Sequence, residues 1–70
     1  MIKIEDLIPL LKEGWVSMDE NKCWFWHSKK PRRFYCQWDN NDRACKLGAF
    51  DIAPAEDWTQ SLIKIERKDK

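Results

Sequence analysis

Apolar residues recur at Ile4, Leu7, Ile8 and Leu11, the i, i+3, i+4, i+7 spacing of one helical face, with Glu5, Asp6, Lys12 and Glu13 between or after them. The spacing predicts an amphipathic N-terminal helix that stops at Gly14. Pro9 is a local conflict. It suits the first turn of a helix beginning near Asp6, but removes a hydrogen bond if the helix begins at Ile4.

From Trp15 the period changes to two. "WVSMD" puts Val16 and Met18 on one side and Trp15 and Ser17 on the other, and "DENK" supplies turn residues. "CWFWHS" likewise separates Trp24 and Trp26 from Cys23, Phe25 and His27. After "KKPR", "RFYCQW" separates Phe34, Cys36 and Trp38 from Arg33, Tyr35 and Gln37, and "DNND" is a second turn signal. The pattern predicts an antiparallel three-strand meander entered from the helix. Beyond it, "RACKLGAF" reads as a short strand with a bulge at Gly48, and "DIAPAEDW" as a loop with one helical turn. Residues 59–67 stay open between strand and helix: Ile63 and Ile65 alternate like a closing strand, the preferred reading, while Trp58, Leu62 and Ile65 also fit a helical face that Asp57 could cap. The expected fold is α+β, one unit over 1–70, with the helix packed on a small antiparallel sheet of three to five strands.

Length and composition add constraints. A 70-residue chain buries only about 60% of the surface it exposes unfolded, so large side chains must supply the core. Five Trp, three Phe and one Tyr do so, at about 150–250 Å² each. A net charge of +1 provides no global field toward nucleic acid or membrane, which makes any electrostatic recognition local. Glu5 and Asp6 interrupt the start where a signal peptide would carry an apolar run, and no stretch approaches a membrane span. A cytoplasmic location is expected, with no membrane partner. The odd count of three cysteines points to reduced thiols.

"CWFWHSKKPRRFYCQW" is the densest chemistry in the chain. Cys23, His27, Cys36 and Cys45 are four zinc-ligand types, but their spacing is not that of paired zinc knuckles. On one strand, Cys23 and His27 would also lie about 13 Å apart at ~3.3 Å per residue. Free thiols acting as small hydrophobes fit better, and no metal or cofactor is expected. Two glycines leave no phosphate-cradling loop or nucleophile elbow, and no enzyme is expected. Carboxylates such as Asp51, Glu56 and Asp57 read as solvated loop residues. Lys29, Lys30, Arg32 and Arg33 flank Pro31 in what should be an exposed turn beside aromatic strands. This is how phosphate and stacked bases are held, and equally how a hairpin tip is kept soluble.

Strand parity assigns Val16, Met18, Trp24, Trp26, Phe34, Cys36 and Trp38 to the core face. Trp15, Phe25, His27, Arg33 and Tyr35 fall on the other, with Ser17 and Gln37, as a ligand or partner surface. That second face could instead be covered by the C-terminal segment or another copy of the chain. A one-residue slip would reverse the faces.

The order "KEGWV", "WFW", "KKP", "FDIAPAEDW" and a short apolar tail resembles small proteins of unassigned activity encoded by bacteriophages and prophages, over nearly the whole chain. The resemblance implies an accessory protein. A looser likeness, over Asp51 to Trp58 plus the helix, is to the phage anti-Thoeris nucleotide-sponge family. That likeness implies a non-catalytic nucleotide binder with Asp57 and Trp58 as contributors, although acidic "SMDEN" stands where that family is basic.

The leading expectation is a non-catalytic accessory protein binding a host or phage protein, or itself, through Trp15, Phe25, His27, Arg33 and Tyr35. The alternative is a nucleotide or single-stranded nucleic-acid binder using Lys29, Lys30, Arg32 and Arg33 for phosphate. A zinc-stabilised mini-domain is a third reading.

Overall fold

The computed structural model describes residues 1–67. One helical turn, α1 (Ile4–Leu7), runs into a 3-10 turn at Ile8–Leu10, followed by strands β1 (Gly14–Met18) and β2 (Trp24–His27). Next come β3 (Arg32–Phe34), β4 (Gln37–Asp39), β5 (Ala44–Lys46), a 3-10 turn at Trp58–Gln60, and β6 (Ile63–Ile65). Four strands form one antiparallel sheet in the order β5-β2-β1-β6, and β3 and β4 form a separate two-stranded ribbon. The fold is therefore α+β, with the N-terminal helix on a small antiparallel sheet. Residues 68–70 of the expected unit lie outside the described residues.

The helix is shorter than its apolar period. Pro9 lacks the N–H that would reach Glu5, so the α-turn ends at Leu7 and tightens into a 3-10 turn closed by Leu11 N–H to Ile8 O, 3.0 Å. The face itself is as expected: Ile4 and Leu7 are buried, and Ile8 and Leu11 pack against them. Arg67 donates to the carbonyls of Ile8, Pro9 and Leu11 at the end of this turn.

Gly14 is not the helix stop but the first residue of β1, opposite Ile65. A Cβ there would lie 2.5 Å from the His27 carbonyl oxygen and 2.8 Å from Trp26 Nε1, so close approach is what demands glycine. Val16, Met18, Trp24 and Ile65, with Leu47 and the helix residues Ile4 and Leu7, form the buried core, and Trp26, Ile63 and Trp58 pack against it. Three indoles also donate to backbone: Trp24 to Ala53 O, Trp26 to Lys12 O, and Trp38 to Trp58 O, at 3.1–3.2 Å.

The expected meander is corrected in its third strand. "RFYCQW" does not run on beside β2 but folds back at Tyr35–Cys36, pairing Arg32 with Asp39, Arg33 with Trp38 and Phe34 with Gln37. The place beside β2 goes to β5, with Phe25 opposite Lys46 and His27 opposite Ala44. Phe34 and Cys36 are consequently exposed, not core. Gly48 lies in a turn closed by Phe50 N–H to Leu47 O, 3.3 Å, and not in a bulge.

The tail resolves to a single 3-10 turn, capped by Asp57 through Thr59 N–H, and then β6 against β1. A parallel bridge joins Ile2 to Ile52, with Ile2 N–H to Asp51 O and Ala53 N–H to Ile2 O, both 2.8 Å. Among the described residues no helix is long and apolar enough to cross a membrane.

Candidate functional site

The sheet face opposite the core carries Trp15, Ser17, Phe25 and His27, as parity predicts, but it is not open. The chain from Lys30 to Asn40, which contains the ribbon, lies against it. Pro31, expected in an exposed turn, is fully buried, Ser17 is 0% exposed and His27 is 2% exposed.

Both His27 ring nitrogens are engaged. Nε2 lies 3.0 Å from Ser17 Oγ and Nδ1 lies 2.7 Å from Asn40 Nδ2. The Asn40 orientation is fixed because its Oδ1 accepts the Asp42 N–H, which turns the amide nitrogen toward the ring. Asn40 therefore donates to Nδ1, and the imidazole carries its proton on Nε2, donating to Ser17. Burial pushes the His27 pKa below its ordinary 6.5, against the pull of Asp19 and Asp39. Neutral imidazole suits this contact, since a protonated Nδ1 would face another donor. Asp19, also buried, accepts the Trp38 N–H at 2.9 Å, yet burial holds its carboxyl above the ordinary 3.8.

The same contacts tie the ribbon down. Trp38 is held by Asp19, Glu20 N–H donates to Cys36 O at 3.0 Å, and the Trp38 ring meets Trp58 edge-on at 6.5 Å. The tip points away from these anchors. Tyr35 is 87% exposed and Phe34 56% exposed, their rings edge to face with centroids 4.5 Å apart. Tyr35 adopts φ 56° at the first position of a two-residue hairpin loop. The left-handed region costs a residue with a Cβ about 1–2 kcal/mol and normally falls to Gly or Asn. A strained, displayed aromatic is the kind of outlier that accompanies function.

Lys29, Lys30, Arg32 and Arg33 are all exposed around this ribbon. An open cleft of about 340 Å³ is lined by Lys30, Arg32, Arg33, Phe34, Asp39, Asn40 and Asn41. Among the described residues the ion pair within 4.0 Å is Lys64–Glu66, so none of the four cations has a carboxylate at salt-bridge distance. Arg33 does act at longer range on Asp57, whose pKa is lowered first by hydrogen bonds from Thr59 and then by that guanidinium.

The five expected surface residues thus separate. Arg33 and Tyr35 sit on the ribbon. Trp15 and Phe25 are half-buried on the sheet, and His27 lies beneath the ribbon. Lys30 connects the two groups, since it lines the cleft and its Nζ stands 5.7 Å from the Trp15 ring centroid, with Lys64 at 5.6 Å. Phe34, Asp39 and Asn41 join the surface unannounced by the pattern. The "DNND" run pointed to a turn, not to a cleft wall. Cys23 is half-buried and Cys36 and Cys45 are exposed free thiols, and among the described residues no group of three His, Cys, Asp or Glu converges to hold a metal.

Comparison with family models, with curated proteins and with solved structures returns no match.

Proposed function

We propose that the protein is a non-catalytic binding module, of the accessory kind that its resemblance to phage- and prophage-encoded proteins implies, and that its working surface is the β3–β4 ribbon. The observation that carries this reading is the exposed Phe34–Tyr35 pair, held at a strained turn and ringed by cations. An aromatic pair of this kind leaves apolar area in water and holds Tyr35 in left-handed backbone at its tip, both of which weigh against the free fold. A bound partner would cover that area. His27 supports the non-catalytic part: both ring nitrogens are engaged and almost no solvent reaches it. Of the two surfaces expected from the pattern, the ribbon carries Arg33 and Tyr35 from the aromatic one and Arg32 and Arg33 from the cationic one, with Lys30 lining the cleft beside it.

The test is paired capture. Immobilised wild-type protein and a Tyr35→Asn variant are exposed to bacterial lysate with and without nuclease treatment, and self-association of each is followed by sedimentation. Species retained by wild type and lost by the variant support the surface. Identical behaviour of the two proteins overturns it.

A further inference from the structure

We infer that the ribbon cleft binds single-stranded nucleic acid, a ligand class that rests on the reading of the ribbon as the working surface. Three features of the cleft point the same way. Lys30, Arg32 and Arg33 line it without a carboxylate at ion-pair distance among the described residues, so their charge is available to phosphate. Phe34 lines the cleft, and Tyr35 packs edge to face on Phe34 with centroids 4.5 Å apart; both residues are more than half exposed, an apolar platform for a base. Asp39 also lines the cleft, a hydrogen-bond acceptor set among donors. A site built only for anions, such as an acidic protein segment, gains nothing from that carboxylate. A ligand carrying both phosphates and base N–H donors can use it, because a carboxylate accepts from exocyclic amino groups on a base edge.

The single strand is favoured over the duplex by geometry. In a duplex the base faces are already stacked on one another, which leaves Phe34 and Tyr35 without a partner. The strands of the ribbon are three residues each, a span of about 10 Å at ~3.3 Å per residue, so the site covers a few nucleotides. With a chain net charge of +1, binding must come from this local group of cations and not from a whole-molecule field.

The test is fluorescence anisotropy with a labelled oligothymidylate and an oligocytidylate, the matching duplex, inorganic polyphosphate and an oligoglutamate peptide. Wild type should bind the single strands. Three phosphate contacts at about 0.7 per phosphate predict an affinity loss of about 20-fold between about 50 and 200 mM salt. Loss of one stacking ring in Tyr35→Asn should weaken binding by about 5- to 150-fold. The melting temperature should hold, because the side chain is exposed and Asn tolerates its backbone. Arg33→Gln should flatten the salt dependence by about one phosphate. No binding at low salt overturns the inference, as does equal binding of duplex or polyphosphate, or an unaffected Tyr35→Asn. If oligonucleotides fail while oligoglutamate, or a second copy of the chain, is held by wild type and not by Tyr35→Asn, the ligand class is wrong and the ribbon surface survives.

Discussion

Acidification should loosen this protein through one side chain, and a single substitution should reverse the sign. His27 is the only histidine, so no second imidazole contributes to proton uptake near pH 6.5. In the folded state burial lowers its pKa, and Asn40 donates to Nδ1. Between the lowered folded value and the unfolded 6.5, the unfolded chain therefore binds more protons than the folded one. Stability is fully present above 6.5 and falls as pH drops toward the folded value. The slope is at most about 1.4 kcal/mol per pH unit for one proton. A chain of this length has about 4–10 kcal/mol in total, so one pH unit removes a measurable fraction, about 4–8 °C of melting temperature per kcal/mol. Asp19 acts oppositely but lower. Its raised pKa gives the folded state the extra proton only in the window just above 3.8. Replacing Asn40 with Asp puts a carboxylate against Nδ1, where a charge-assisted bond to protonated imidazole is worth about 1.5–3 kcal/mol. The folded pKa then rises above 6.5, and stability is gained below neutrality and lost as pH rises through the new value. Urea unfolding followed by tryptophan fluorescence from about pH 7.5 to 5 reads both slopes. A flat wild-type profile, or the same sign in both proteins, would refute the tautomer and the burial argument together.

Other substitutions probe the frame. Gly14→Ala should cost about 1–3 kcal/mol in chemical denaturation, because the new Cβ meets a backbone carbonyl and the Trp26 indole, neither a flexible tip. Ile65→Ala, at 2% exposure in the core, should cost about 2–5 kcal/mol, while Leu10→Ala, at 79% exposure, should stay within about 0.5 kcal/mol. Thiol labelling of native protein should modify Cys36 and Cys45 promptly and Cys23 more slowly, as their exposure orders them.

How far the pattern reached depends on what each element needed from outside itself. Val16, Met18, Trp24 and Trp26 alternate with Trp15, Ser17, Phe25 and His27, and the face they predict is the one on which the apolar core is built. Ile63 and Ile65 were separable from a helix only by pairing, which the register with Val16 and Gly14 supplies. The ribbon was illegible for a specific reason. Its turn falls on Tyr35–Cys36, which carries neither Gly nor Asn, so "RFYCQW" reads as one strand. Missing that turn placed Phe34 in the core and moved β5 out of its place beside β2. Parity also put His27 on the second face correctly, but parity says which way a side chain points and not what lies above it. The cover comes from Pro31 and Asn40, whose positions follow from the unseen turn.

The unfavourable backbone at Tyr35 and the buried polar layer at His27 are two ends of one arrangement. A left-handed tyrosine with little burial gains almost nothing from its own contacts, beyond an edge-to-face pair worth about 0.5–1.5 kcal/mol. It persists because the strands behind it are held elsewhere: Trp38 by the Asp19 carboxylate and the Trp58 carbonyl, Cys36 by the Glu20 amide, and the end of β4 through Asn40 on His27. Each net contribution of about 0.5–1.5 kcal/mol is of the size of the strain, and several together exceed it. The fixed tip matters for binding. A platform already held in place forfeits less conformational entropy when a ligand settles on it than a flexible loop carrying the same residues. Asn40→Ala should therefore weaken the ribbon surface without touching any exposed aromatic. It leaves Nδ1 of a buried imidazole unpaired, at about 1–3 kcal/mol, and releases the strand end that positions Asp39 in the cleft. A variant that lost stability by that amount while keeping full affinity for the wild-type ligand would show that the tip holds its shape without the latch beneath it.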